Sequence, residues 1–353
     1  MLGLIARADN SGLGVQSWEF ARNMHPDRVL VIDVSHLHDD TDHSNKRTDL
    51  SRFPGALVSN GWIPNTSTIE QFCDGLDVIF TCETTYSPEL ITIAHRRGVK
   101  VVNQYNHEFL SHALYNFPHP DVFAAPSRWM WDAIDVPNRI HLPVPIATDR
   151  WTVKDPAPTA RNFLHVVGRP AAYDRNGTPD LLAALPFVSA EITLTLTCQD
   201  VAYLTRLLHT RIPDNVEIVV RSGDANHYWD LYDSQDVLIL PRRFGGLCLP
   251  AQEAIGAGMP VMMTDVSPND DWLPSEWLVP AVAHERFSAT TDIDVHHADP
   301  QALATLIDRF ATDEQFYSES CADAAQIREE LSWTSLKPHY DEVVTCSSVS
   351  SAT

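Results

Sequence analysis

One segment in the second half of the chain combines glycines, a proline and a carboxylate at a spacing that suits anion binding. It reads PRRFGGLCLPAQEAIGAGMPVMMTD and covers residues 241–265. Pro250 suits the first position of a helix, because its missing N–H is not needed there. A helix that begins just after Gly245 and Gly246 offers free backbone N–H groups to an anion such as a diphosphate.

Glu253 is expected in the first turn of that helix. A carboxylate there can accept two hydrogen bonds from a vicinal diol, such as the diol of a ribose. An acidic residue near a helix start is also favourable by itself, because it offsets the positive end of the helix dipole. The residue type alone leaves both interpretations open.

Elements that could position this segment alternate along the whole chain between apolar runs and amphipathic helices. The strand-like runs are 2–6, 29–33, 77–82, 99–103, 122–126, 162–167, 192–197, 216–220, 237–240 and 260–264. Continuous β-branched runs separated by helices are typical of parallel sheets covered on both faces. A proline-rich stretch, residues 141–160, divides the runs into two series.

We therefore predict an α/β protein with two doubly wound, Rossmann-like domains that face each other across a cleft. The predicted domains are residues 1–145 and residues 146–333, followed by a C-terminal helix and a frayed tail at 334–353. Open parallel sheets bind ligands at the carboxyl ends of their strands. Residues that directly follow the strands are therefore the candidates for function.

The segment 241–265 resembles the C-terminal signature of retaining GT-B glycosyltransferases of family four, the glycosyl transferases group 1. The matching residues are LPAQEA at 249–254 and GMPV at 258–261. The resemblance implies that Glu253 contacts the ribose of a nucleotide sugar. The family's first glutamate, which usually binds hydroxyls of the donor sugar, falls on Gly245, so the sugar is not implied. The form FGGLCLP is similar to that of phage-encoded members.

Other positions extend this resemblance to nearly the whole chain. Arg169 and Arg175 are similar to two cations that hold the donor diphosphate in the family, and a guanidinium grips phosphate oxygens with a fork of donors. His107 follows the run 99–103, where the family often places a histidine near the donor sugar. The alternatives are two solvated arginines and a structural histidine. The implied catalytic residues are His107, Arg169 and Arg175, and the implied donor-binding residues are Gly12, Gly14, Ser222, Gly223, Gly245, Gly246, Leu247, Cys248, Leu249 and Glu253.

Several other motifs carry less weight. The segment HLHDDTDH at 36–43 contains a literal Asp-x-Asp, which GT-A enzymes use for a divalent metal, but the surrounding sequence lacks that domain. We interpret it as a solvated acidic loop and predict no metal and no cofactor, with a nucleotide-diphosphate sugar as co-substrate. No G-x-S-x-G elbow, complete dinucleotide fingerprint, P-loop or C-x-x-C pair occurs.

Composition excludes some classes of partner. The 353 residues include 25 Lys and Arg against 47 Asp and Glu, so the net charge is −22. This charge argues against a general nucleic-acid binder and against binding to anionic membranes. No apolar run is long enough for a transmembrane helix and no signal peptide is recognisable, so we expect a cytoplasmic protein without membrane insertion.

Together these features predict a glycosyltransferase that moves a sugar from a nucleotide-diphosphate sugar to an acceptor hydroxyl, and the resemblance implies retention. The acceptor is a protein such as a phage virion protein, a glycan, or a hydroxymethylated DNA base. The net charge disfavours DNA, although five arginines could form a local basic track. They are Arg128, Arg139, Arg150, Arg242 and Arg243. Because Gly245 replaces a glutamate, a catalytically degenerate nucleotide-sugar-binding protein is an alternative, and a sugar-nucleotide epimerase is a third.

Overall fold

The computed structural model describes most of the chain. The described residues are 1–35, 48–83, 86–107, 118–133, 135–153, 155–168, 170, 174–208, 212–223, 225–288 and 291–345. The chain divides into two units, one made of Met1–Pro145 and Trp333–Thr353 and the other of Ile146–Ser332. Among the described residues, no helix has the length and apolar composition that crossing a membrane requires.

The first unit is built on a seven-stranded sheet. Its strands are β1 Leu2–Ala6, β2 Arg28–Asp33, β3 Leu57–Asn60, β4 Val78–Glu83, β5 Lys100–Tyr105, β6 Val122–Ala125 and β7 Arg139–His141. The strand order is β3-β2-β1-β4-β5-β6-β7, and every neighbouring pair is parallel. The order reverses between β1 and β4, which is where open parallel sheets bind ligands.

Helices cover both faces of this sheet. They include α1 Gly12–Met24, α2 Thr66–Cys73 and α3 Pro88–Arg96. Successive residues of a strand point to opposite faces. In β1, Leu4 shares an apolar cluster with Phe20 of α1, whereas Ile5 shares another cluster with Ile69 of α2 and Leu90 of α3. Burial on both faces explains why β1 is a continuous apolar run.

The second unit contains a six-stranded parallel sheet. Its strands are β8 Asn162–Gly168, β9 Ile192–Cys198, β10 Val216–Ser222, β11 Val237–Leu240, β12 Val261–Thr264 and β13 Leu278–Val279. The order is β10-β9-β8-β11-β12-β13. The strand order reverses between β8 and β11. The prediction of two doubly wound parallel sheets is confirmed.

A separate antiparallel hairpin, which the sequence patterns did not predict, also belongs to the second unit. It is formed by β14 Ala281–Ser288 and β15 Asp292–Ala298. The helices of this unit are α4 Thr178–Ala184, α5 Val201–Leu207, α6 Leu249–Gly256, α7 Pro300–Thr312 and α8 Glu314–Glu330. Because α4 follows β8 and α6 follows β11, these two helices begin at the carboxyl edge of the sheet.

The last helix, α9 Trp333–Thr345, packs in the first unit. Trp333 and Tyr340 are buried in the same cluster as Phe20 and Phe80. The Tyr340 hydroxyl accepts a hydrogen bond from Gln104 Nε2 at 3.0 Å and donates one to the carbonyl of Pro143 at 3.0 Å. The chain therefore enters the second unit once and returns to complete the core of the first.

Candidate functional site

Two loops meet at the carboxyl edge of the second sheet. One precedes α4 and contains Arg175 and Gly177, and the other connects β11 to α6. The backbone N–H of Arg243 donates to the carbonyl of Arg175 at 2.8 Å. A Cβ on Gly177 would lie 2.0 Å from the carbonyl oxygen of Pro241, so only glycine permits this approach.

A buried histidine ties the same elements together below the loops. His165 of β8 donates from Nδ1 to the carbonyl of Ile239 at 2.8 Å, and its Nε2 accepts from the Thr178 hydroxyl at 3.0 Å. Burial lowers the pKa of His165. The ring is therefore neutral, with one donor and one acceptor nitrogen, as these two bonds require.

The loop between β11 and α6 presents a row of unoccupied donors. In the described part of the chain, the backbone N–H groups of Gly245, Gly246, Leu247 and Cys248 donate no hydrogen bond. They lead directly into Leu249, the first residue of α6, where the helix dipole places partial positive charge. Residues 245–249 thus combine amides without an acceptor and a helix start, and binding of an anion there stays a prediction.

Arg175 lies beside this row of donors. Its guanidinium carbon is 5.0 Å from the centre of the Phe244 ring, an arrangement that favours a cation over an aromatic face. Phe244 also contacts Phe287 of the hairpin, with ring centres 5.1 Å apart. Arg169, the second predicted phosphate-binding arginine, lies outside the described residues.

Glu253 is mostly buried and lies in the second turn of α6, not in the first turn as predicted, because the helix begins at Leu249. It accepts a hydrogen bond from the Tyr232 hydroxyl through Oε2 at 2.5 Å. Burial raises the pKa of Glu253 to about 7, and the hydrogen bond from Tyr232 opposes that rise. Burial also raises the pKa of Tyr232 well above its usual value, so the phenol keeps its proton and is the donor.

A buried ion pair that the sequence analysis missed fastens the loop to its surroundings. Arg243 donates to Asp180 of α4 from Nη2 at 2.7 Å and from Nε at 3.3 Å. His297 of β15 contacts the same carboxylate through Nδ1 at 3.1 Å. The backbone N–H of His296 donates to the Arg243 carbonyl at 3.0 Å. The hairpin is therefore bonded to the loop and to α4.

This burial corrects one expectation about the surface. Arg242 is 5% exposed and Arg243 is 8% exposed, so neither contributes to a basic track on the surface. Two adjacent arginines directly after a buried strand suggested surface charge, because arginine is rarely buried unless it is paired. The pairing partners came from other elements, which a sequence does not reveal.

The remaining predicted residues of the second unit lie at the end of β10. Ser222 is the last residue of that strand and Gly223 follows it, and both are exposed. Gly223 has a φ of +87°, and its N–H donates to the carbonyl of Cys198 at 3.0 Å. The short 3-10 helix Tyr228–Tyr232, which carries the partner of Glu253, comes next in the chain.

Three predicted residues belong to the first unit. Gly12 begins α1, and Gly14 lies so close to the preceding loop that a Cβ would be 1.8 Å from the carbonyl oxygen of Asp9. Gly14 is therefore required for packing, whatever it binds. His107 lies two residues after the end of β5 and is buried, with its ring 5.0 Å from that of Trp129. Its catalytic role stays a prediction.

The metal prediction also stays open. Among the described residues, no group of three or more His, Cys, Asp or Glu side chains could hold a metal ion. The acidic segment 36–43 lies outside the described residues.

Comparison with known proteins identifies a family model that matches part of the second unit. Residues 161–313 match the model of the family described as Glycosyl transferases group 1. The comparison with curated proteins gives no significant match.

Several solved structures share the fold over nearly the full length. HepE of Anabaena, solved with UDP and glucose, has a TM-score of 0.68 at 11% identity, covering 98% of this chain and 99% of that one. Sucrose-phosphate synthase of Thermosynechococcus elongatus has a TM-score of 0.65 at 14% identity, covering 97% of each chain. A glycosyltransferase of Rickettsia africae has a TM-score of 0.66 at 11% identity, again covering 97% of each.

Identities this low establish a common fold and no more than that. The family match covers the β8–α7 region, which contains the glycine loop, Arg175 and Glu253. The second unit thus carries a Glycosyl transferases group 1 domain, and the protein is a glycosyltransferase with the GT-B fold.

Proposed function

We propose that this glycosyltransferase takes its sugar from a nucleotide-diphosphate sugar held by the second unit. The observation that carries the proposal is the row of backbone N–H groups at Gly245–Cys248 that donate no hydrogen bond in the described part of the chain. This row leads into α6 and lies beside the Arg175 guanidinium. A diphosphate suits this arrangement, because amides and guanidinium groups both donate to phosphate oxygens. The HepE structure contains UDP and glucose, which supports a donor of this class.

Within this proposal, Arg175 and the loop amides stabilise the leaving diphosphate. Negative charge grows on the diphosphate as the glycosidic bond breaks, and donors already in place stabilise it without reorganisation. Arg169 has the same role by family resemblance. Glu253 accepts hydrogen bonds from the ribose hydroxyls while Tyr232 holds its other side. These groups neutralise the diphosphate, so we expect catalysis without a bound metal or another cofactor.

The stereochemistry and the acceptor form the second part of the proposal. Resemblance to family four supports retention of the anomeric configuration. For the acceptor we favour a hydroxyl on a protein, such as a phage virion protein, over a hydroxymethylated DNA base. The burial of Arg242 and Arg243 removes two of the five arginines that could have followed a DNA backbone, and the net charge of −22 gives no long-range attraction.

A catalytically degenerate donor-binding protein is the second candidate. Gly245 favours it, because no carboxylate stands where the family usually binds donor-sugar hydroxyls. The two candidates differ in donor turnover. Without an acceptor, an enzyme of this class slowly hydrolyses its donor and releases nucleoside diphosphate, whereas a degenerate protein does not.

The first experiment is a thermal-shift panel of nucleotide sugars and nucleoside diphosphates. A ligand present at 100 times its dissociation constant stabilises the folded state by about 2.7 kcal/mol. The donor that gives the largest shift is then assayed for release of nucleoside diphosphate with and without EDTA. Absence of any shift across the panel would contradict the proposal, and a shift without turnover would favour the degenerate protein.

The acceptor and the stereochemistry need separate measurements. Mass spectrometry of candidate acceptor proteins and of digested DNA, incubated with the identified donor, shows which of them gains the mass of the sugar. NMR of the isolated product then gives its anomeric configuration. If the sugar is found on DNA bases and not on the proteins, the proposed protein acceptor is rejected. If the product has the inverted anomeric configuration, retention is rejected.

A further inference from the structure

We propose that Arg242 is a positioning residue that turns the loop amides towards the donor diphosphate, and that position 245 is glycine because Arg242 occupies the space of a side chain there. This inference rests on the proposed function, since it concerns the same anion site. It goes beyond that function because it proposes that a buried side chain, which does not itself contact the donor, orients the amides of the loop.

Arg242 bonds the loop from beneath. Its Nε donates to the carbonyl of Phe244 at 3.1 Å, and its Nη2 donates to the carbonyl of Leu247 at 3.0 Å. The guanidinium is rigid and planar, so these two bonds hold two carbonyls, three residues apart, in a fixed relation. The side chain is almost fully buried, so water does not compete for these carbonyls.

Peptide geometry converts these two bonds into an orientation of the amides. In a planar trans peptide, the N–H points opposite to the preceding C=O. With the carbonyls of Phe244 and Leu247 directed at Arg242, the N–H groups of Gly245 and Cys248 point away from it. Both belong to the row of amides that donate no hydrogen bond in the described part of the chain. Arg242 thus directs two of the four amide donors away from its own positive charge.

Position 245 is glycine for two independent reasons. Its φ is +115°, a conformation that side chains disfavour. A Cβ there would also lie 2.6 Å from Nη2 of Arg242 and 3.2 Å from its Nε. A glutamate at 245, as in the resembling family, is therefore incompatible with the guanidinium where it now lies. Gly245 and Arg242 therefore form one structural arrangement.

The backbone of Arg242 is anchored independently of its side chain. Its N–H donates to the carbonyl of Leu240 at 2.6 Å, and its carbonyl accepts a hydrogen bond from the Thr264 hydroxyl of β12. A substitution of the side chain should therefore leave the path of the chain at residue 242 in place. We expect the main effect in the loop at 244–248, whose carbonyls the side chain bonds.

The test compares affinities for a nucleoside diphosphate and for the matching monophosphate. A panel of ADP, GDP, UDP, CDP and dTDP identifies the base by thermal shift, and calorimetry then gives both affinities for the wild type and for Arg242→Lys. Lysine keeps the charge but lacks the planar fork, so it cannot hold both carbonyls in the same way. We expect the preference for the diphosphate to fall about tenfold, the effect of weakened hydrogen bonds to a charged group. The monophosphate affinity should stay within about twofold of its wild-type value.

Arg161→Lys is the matched control. Arg161 is an exposed arginine of the same unit, at the start of β8 and away from the loop. Its substitution should leave both affinities and the melting temperature unchanged. Gly245→Ala is the second test variant, because its methyl group displaces the guanidinium from the other side, and it should lower the same preference.

The outcomes separate this inference from the proposed function. A wild type that does not prefer the diphosphate rejects the proposed function and this inference together. A wild type that prefers it, with Arg242→Lys and Gly245→Ala folded and showing the same preference, rejects this inference alone. Unfolding of both variants at 25 °C would show that Arg242 supports the whole unit, which also overturns a specific positioning role. A selective loss of diphosphate preference in folded variants supports it.

Discussion

The buried carboxyl group of Glu253, which we propose as a donor-binding group, is expected to lower the free energy of unfolding of the second unit. Burial raises its pKa to about 7 from an ordinary value of 4.5. Between these two pH values the folded protein holds a proton that the unfolded chain has released. The stability of the second unit therefore falls as the pH rises from 4.5 to 7, and above pH 7 the full cost of the buried charge is present.

The size of this cost follows from the shift in pKa. A rise of about 2.5 pKa units, at about 1.4 kcal/mol per unit, corresponds to about 3 kcal/mol. Glu253→Gln removes the cost because glutamine is neutral and its Oε1 can still accept the Tyr232 hydroxyl. At pH 8 we expect the variant to be more stable than the wild type by up to about 3 kcal/mol. For a unit of this size, that corresponds to a melting temperature about 6–12 °C higher.

The same substitution should weaken donor binding. The carboxylate is the acceptor that we propose for the ribose hydroxyls, and hydrogen bonds to a charged group contribute about 1.5–3 kcal/mol. Glu253→Gln should therefore lower the affinity for the nucleoside diphosphate by about 10- to 150-fold. In the wild type, the affinity should also fall as the pH drops below 7 and the carboxyl group takes up its proton.

Urea unfolding of the second unit at pH 5 and at pH 8 measures the first effect, and calorimetry across the same range measures the second. Ionisation of the ligand phosphate also changes affinity with pH. It affects the wild type and the variant equally, so the difference between the two proteins reports Glu253 alone. Glu191→Gln, at an exposed carboxylate of the same unit, is the control and should change neither quantity. A variant that is no more stable than the wild type at pH 8 would refute the electrostatic reasoning, and an unchanged affinity would refute the ribose role.

Three further substitutions test how the site is held. Arg175→Ala should lower diphosphate affinity about tenfold or more with a melting temperature within a few degrees of wild type, and equal affinity by calorimetry would remove Arg175 from the site. Asp180→Asn should destabilise the second unit by about 3–5 kcal/mol in urea, because it leaves Arg243 buried without its counter-charge, and a loss below about 1 kcal/mol would show that the pair is not needed. Gly177→Ala should cost at least about 1–3 kcal/mol, because the methyl would meet the Pro241 carbonyl at 2.0 Å and φ is +74°, and an unchanged unfolding midpoint would contradict that contact.

Much of the fold was predictable because its central strands carry a strong local pattern. Runs such as those of β1 and β11 are apolar on both faces, and only a covered parallel sheet buries such a run completely. The edge strands β3, β7 and β13 and the hairpin 281–298 were missed. They are short or contain exposed polar residues, so their pairing with a neighbour leaves little trace in the composition.

The start of α6 and the free amides before it were also determined by the sequence. Two glycines followed by a proline specify a loop and a helix start, because both features depend on the backbone preferences of a few neighbouring residues. The partner of Glu253 could not be predicted in this way, because Tyr232 lies 21 residues away in the sequence. Arg243 and Asp180 are 63 residues apart, and Gln104 and Tyr340 are 236 apart.

The sequence by itself therefore determined two parallel sheets and a glycine-containing loop that leads into a helix, because strand apolarity, glycine and proline act within a few residues. Tertiary structure alone decided that Arg242 and Arg243 are buried supports rather than surface charges. It also decided that Gly245 makes room for a guanidinium and that the last helix returns to the first unit. The reason is that burial of a charge or a closing helix depends on partners that only packing brings together.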